Sequence, residues 1–269
     1  MTLAAVGFLT LLLAAGADSL SAQQTSPIDT TKLLAEVGAS YYHPDDLFSL
    51  DCAVAIDFTG FLKQLGQSPD GERMKAMNGM KVNVHAFRGQ NAVVDIAWSQ
   101  GALASKESME SGLKQMLNGF FQMYWPMFAS SLAPGPHDSV RAEAKAAGGY
   151  ILHSTADGAA TTTEVNGEYL PTRLIVDSPV MKGAVEVQFA PSPNPTPGDL
   201  RRLTSAGITQ QIGTNTIKVQ IGTDYQDAEG FHIPRHVSFD MGGGLSIPLE
   251  FASCSATKAA APPEPKSPR

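Results

Sequence analysis

The chain has little of what catalytic or nucleic-acid-binding proteins display. Only two cysteines, Cys52 and Cys254, occur in 269 residues, which excludes a CxxC redox pair and a cysteine-built zinc cluster. The HExxH and GxSxG signatures of zinc and serine hydrolases are absent as well. Charged residues are sparse at 17%, and 19 Lys and Arg against 26 Asp and Glu leave a net charge of −7. The cations are scattered along the chain, whereas a surface that tracks phosphates needs them clustered, so nucleic acid is not an expected partner. Polybasic adhesion to an anionic membrane is disfavoured for the same reason.

Long apolar runs are also missing. The longest, Leu3 to Ala15, is uncharged and about 13 residues long, short of the roughly 20 that span a bilayer. Small and polar residues follow it, and Ala15-Gly16-Ala17 fits a small-x-small cleavage site, with Ala22 as a second candidate. Residues 1–22 therefore read as a secretory signal peptide, and an integral membrane protein is not expected. With no cysteine after the run, acylated-cysteine lipoprotein anchoring is excluded. Export to a periplasmic or extracellular space places the two thiols in an oxidising compartment, where a Cys52–Cys254 disulfide is the expectation.

What is present is ordinary globular material, 43% hydrophobic. It reads as one α+β domain over residues 28–254, followed by a Pro/Ala/Lys-rich tail over 255–269 that cannot bury a core. Leu33, Leu34 and Val37 sit at helical spacing behind Asp29 or Thr30 as N-cap. Cys52, Val54, Ile56 and Phe58 share one face, with Asp51 and Asp57 on the other, the mark of a half-buried strand. Residues 60–66 and 71–80 read as short helical pieces, and 81–87 with 92–98 as a hairpin. Further strands are expected over 139–146, 149–155, 158–165, 170–177, 182–189, 215–223, 231–240 and 244–253. Cys254 falls out of phase with Leu249 and Phe251, so a bridge to Cys52 requires a bulge or a strand end between them. The Pro-rich stretch 190–198 reads as an exposed extended linker.

The strongest helix signal runs from Lys106 to Trp125, capped by Ser105 and ended or kinked by Pro126. Its polar face carries Lys114, Gln115, Asn118 and Gln122, so it is amphipathic and meant to cover a sheet. Met109, Met116 and Met123 recur every seven residues along it. Phe120 and Trp125 join them. Thioethers are flexible and polarizable and suit a lining that accepts variable acyl chains, although methionine also fills irregular cores. Met109, Met116, Phe120, Met123 and Trp125 are accordingly the candidate ligand-lining residues.

Two segments share a turn-and-strand form: Asn166-Gly167-Glu168-Tyr169-Leu170-Pro171-Thr172-Arg173-Leu174 and Asp227-Ala228-Glu229-Gly230-Phe231-His232-Ile233-Pro234-Arg235-His236-Val237. Each leads through a strand and a turn into a further strand. Together with the long helix, this grammar resembles the lipoprotein-carrier superfamily of LolA, LolB and LppX over about residues 107–253. The resemblance implies a curved, half-barrel-like antiparallel sheet packed on one long helix, holding a lipid or another apolar ligand between them. The first hundred residues look instead like secreted bacterial proteins of unknown function.

Candidate chemistry is thin. His232 and His236 lie four apart on a strand, but a metal site needs further ligands from a neighbouring strand. His153, Ser154 and Asp157 lie together in a stretch without a nucleophile elbow. Asp45 and Asp46 read as a turn, and Asp57-Phe58-Thr59-Gly60 only approximates an aspartic-protease motif. No catalytic residue, cofactor or metal is therefore assigned. The sequence points to a non-enzymatic exported protein with a lipid ligand, or to an interaction module of the cell envelope with an envelope protein as partner and a fully packed core. A secreted hydrolase ranks third.

Overall fold

The computed structural model describes residues 28–64, 66, 75–77, 79–98, 106–135, 138–156, 158–177, 182–191, 199–212, 215–240 and 246–259. The signal-peptide reading, Ser105, most of the 190–198 linker and the tail beyond Ala259 lie outside these residues.

The chain opens with α1 (Thr30–Ala39), where the Asp29 carboxylate accepts the Lys32 N–H at 3.0 Å and caps the first turn as expected. Strand β1 (Leu47–Ile56), the short helix α2 (Thr59–Gln64) and the hairpin of β2 (Lys81–Phe87) and β3 (Val93–Ala97) follow. The long helix α3 (Lys106–Phe128) then leads to nine strands. These are β4 (Ser139–Ala144), β5 (Tyr150–Ala156), β6 (Ala159–Val165), β7 (Pro171–Asp177), β8 (Lys182–Ala190), β9 (Arg202–Ile212), β10 (Asn215–Ala228), β11 (Phe231–Asp240) and β12 (Ser246–Lys258).

All twelve strands form one open sheet in the order β3-β2-β1-β12-β11-β10-β9-β8-β7-β6-β5-β4. Every strand pairing is antiparallel. From β4 to β12 it is an unbroken meander; β12 then pairs with β1, and the two edges are β3 and β4. Because α3 connects β3 to β4, the segment between those strands must lead from one edge of the sheet to the other.

Several elements differ from the sequence reading, β10 among them, which runs on to Ala228 past the expected end at 223. Strand β9 lies where none was expected. Helix α3 carries Pro126 inside its last turn and runs on to Phe128, closing where the Ala129 N–H donates to the Tyr124 carbonyl at 3.1 Å. Strand β12 extends to Lys258, past both the expected strand end at 253 and the expected tail start at 255. Ala256 is buried and stands opposite Leu50, and Lys258 stands opposite Leu47, so those residues belong to the sheet.

The Cys52–Cys254 disulfide is present. Asp51 stands opposite Ser255 and Ala53 opposite Ala252, so Ser253 and Cys254 together face the single residue Cys52. Of the two alternatives, bulge or strand end, this is a β-bulge, with Ser253 in the left-handed region at φ 49°. No helix among the described residues is long and apolar enough to cross a membrane.

Candidate functional site

Aromatic side chains of α3 meet the sheet directly. Helical spacing puts Leu113, Leu117, Phe120, Phe121, Tyr124 and Phe128 on one buried stripe of α3. Phe120 is 2% exposed. Its ring centroid lies 5.7 Å from that of Phe239 on β11 and 5.5 Å from that of Phe251 on β12, distances at which aromatic rings are in contact. The Phe121 ring meets Phe251 edge-on at 6.0 Å. Tyr124 is fully buried, and desolvation pushes its phenol well above the usual range.

The candidate lining residues divide. Phe120 and Trp125 are buried in the main core, with the Arg88 guanidinium 5.6 Å from the Trp125 ring. Met116 and Met123 are partly buried against that core, while Met109 packs on a smaller cluster of Phe58, Leu62, Met77 and Leu113. The methionine stripe flanks the buried stripe, because at about 100° per residue Met109, Met116 and Met123 fall to one side of the arc that holds Leu113, Leu117, Tyr124 and Phe128.

A groove of about 790 Å³ opens elsewhere, beside the C-terminal end of β1. Val54, Val82, Leu249, Met77 and Met80 supply its apolar lining. Asp57, Asp224, His236 and Glu250 supply the polar part. Local backbone explains two of these positions. Thr223 pairs with Val237 and Tyr225 with Pro234, so Asp224 faces a bulge formed by Arg235 and His236. The Asp224 carboxylate accepts the His236 backbone N–H at 2.8 Å and the ring Nδ1–H at 2.9 Å. One side chain thereby fixes both the bulge and the imidazole. On the other side of the ring, Nε2 lies 3.8 Å from Glu250 Oε1. Asp57 accepts the Thr59 N–H at 2.8 Å, and the Thr59 hydroxyl and N–H together hold its carboxyl below the ordinary range.

The remaining candidates keep to separate partners. His232 bonds Asp227 and Arg202, away from the Asp224–His236 pair, so the two histidines do not converge. The Ser154 hydroxyl bonds Thr161, His153 Nδ1 lies 3.2 Å from the Thr162 hydroxyl, and Asp157 lies outside the described residues. Asp45 accepts the Ser131 N–H at 3.3 Å, and Asp46 pairs with Lys258 at 3.2 Å. Among the described residues no three His, Cys, Asp or Glu side chains group closely enough to hold a metal ion. The groove is not visible in the sequence, since its residues come from β1, the Asp57 and Thr59 positions, β2, β10, β11, β12 and Met77 and Met80; of its polar residues the sequence reading singles out only His236, Asp57 and Thr59, and in unconnected motifs. Comparison with known proteins brings no relative: no protein-family model, no curated protein and no solved structure matches the chain.

Proposed function

We propose that this chain is an exported, non-enzymatic interaction module of the cell envelope, built on a half-barrel of the lipoprotein-carrier kind whose acyl space is filled by its own aromatic side chains. The observation that carries this reading is Phe120, held between the rings of Phe239 and Phe251 where a carrier would keep an apolar void. The half-barrel is supported by strand order: a meander from β4 through β12 to β1, β2 and β3 is an up-and-down barrel left open between β3 and β4. Export is supported by the apolar run at Leu3 to Ala15, and the disulfide is compatible with it. The non-enzymatic reading is supported by the structural duties of the carboxylates singled out in the sequence, Asp57 at the start of α2 and Asp45 at the end of α3.

Native mass spectrometry of protein purified from its own host, with titration of a fluorescent fatty acid, tests the packed core. The expected result is the mass of the polypeptide alone and no saturable uptake. A stoichiometric co-purifying lipid would restore the carrier reading.

A further inference from the structure

We infer that the protein associates with further copies of itself edge to edge, β3 of one copy pairing antiparallel with β4 of the next so that the sheet runs on between them. The edge of an open sheet presents backbone N–H and C=O groups without a neighbouring strand, and these template the addition of another chain. Here the two edges are β3 and β4. Among the described residues neither makes a backbone hydrogen bond outside the sheet. Nor does β3 carry a Lys, a Pro or a bulge that would blunt it.

The two edges are complementary in direction, face and charge. With twelve strands and every pairing antiparallel, β3 and β4 run in opposite directions, so a second copy in the same orientation lays its β4 antiparallel to β3. Directly paired residues, and residues two apart on a strand, share a face. Ala142 stands opposite Leu152, and that row can be followed strand by strand to Val82 and its partner Ile96. Val94 and Ile96 on β3 therefore lie on the same face as Val140 and Ala142 on β4, the face that carries the core. Asp95 and Arg141 lie on the other. Setting Asp95 opposite Arg141 of the next copy places Val94 opposite Ala142 and Ile96 opposite Val140, apolar against apolar, with opposite charges facing each other behind them. Both charged side chains are mostly exposed, 68% for Asp95 and 79% for Arg141, beside His85 at 3.6 Å and Glu143 at 2.9 Å respectively. Pairing β3 with itself about a two-fold axis through Asp95 would set like charges opposite each other, and pairing β4 with itself would leave β3 bare. Head-to-tail pairing uses both edges and does not close after two copies. A contact five residues long belongs with small, transient interfaces, so the association depends on concentration. It involves the sheet edges alone and does not depend on whether the space beneath α3 is filled.

Sedimentation equilibrium of the exported chain from roughly 10 μM to 1 mM tests the pairing. The average mass should climb with concentration beyond that of a dimer. Asp95→Arg and Arg141→Asp each set like charges across the contact and should weaken association about tenfold or more. An equimolar mixture of the two variants restores opposite charges at every junction and should associate as the wild type does. Exposed ion pairs contribute little to stability, so each variant should melt with the wild type. A wild type that stays monomeric throughout overturns the inference. So does association that stops at a dimer and survives Asp95→Arg, the signature of two-fold pairing through β4. A mixture that associates no better than the separate variants overturns it as well.

Discussion

Cys52 and Cys254 face each other across β1 and β12 with their Cα atoms 4.2 Å apart, at the bulge where Ser253 turns through a positive φ. The bridge spans 202 residues of sequence. In the chain-entropy model such a loop stabilises the folded state by about 5 kcal/mol, an upper figure because strain and residual unfolded structure reduce it. Denaturant unfolding of Cys52→Ala/Cys254→Ala should show a loss of several kcal/mol at an increased m-value. Thiol labelling of the denatured, unreduced wild type should find no reactive cysteine, and two would end the assignment.

Truncating the aromatic stripe should be expensive. Phe120→Ala or Leu117→Ala removes a side chain at most 2% exposed and should cost roughly 3–5 kcal/mol, whereas the partly buried Met123 should cost less when cut to Ala. Chemical denaturation of the three variants checks the order. Near-neutral Phe120→Ala, with uptake of a fluorescent fatty acid, would mean that the ring lines an open space.

Arg88 ties three segments together. Its Nε donates to the Leu47 carbonyl at 2.9 Å, Nη1 to the Ser130 hydroxyl at 3.2 Å, and Nη2 to the carbonyls of Pro44 at 3.0 Å and Ala129 at 2.6 Å. Ala129 follows the last residue of α3, where a cation also offsets the helix dipole. Arg88→Ala should destabilise by about 3 kcal/mol. Arg88→Lys should recover less than half of that, because an ammonium cannot reproduce the planar fork. Full rescue by lysine would show that charge alone matters.

Alkaline stability should depend on Tyr225. Its hydroxyl donates to the Leu203 carbonyl at 2.5 Å, and burial pushes the phenol far above its ordinary value of 10.0. A raised folded-state value favours the neutral form, so this contribution is complete below about pH 10 and is lost as pH rises toward the folded-state value. Thermal melts across that range should fall for the wild type and fall less steeply for Tyr225→Phe. Identical slopes would remove Tyr225 as the cause.

Alternation made the later strands readable: Phe231, Ile233 and Val237 on β11, and Leu249 and Phe251 on β12, are buried as their spacing requires. Bulges hid the rest. On β9 the extra residue Thr204 puts the buried Leu203 and Ala206 three apart, so no period of two survives. On β12 the bulge at Ser253 and Cys254 resets the phase, and the Ser/Ala/Thr/Lys composition beyond it looked like a tail. The long helix was legible as an element, but the regular spacing of Met109, Met116 and Met123 drew attention to the flank of its buried stripe. The groove had no local signature, because only the pairing of β1 with β12 and of β10 with β11 assembles it.

The pairing of β12 with β1 also sets an order of events along the chain. From β4 onward each strand pairs with the one just made, so the meander can grow by local hairpin contacts as it emerges from a ribosome or a translocation pore. The β1–β3 unit has no such neighbour at hand. Among the described strands its one partner beyond itself is β12, about 200 residues later, and it must wait with one flank unpaired until β12 appears. Synthesis of β12 therefore completes the sheet, and Cys52 can be joined to its native partner only after that moment.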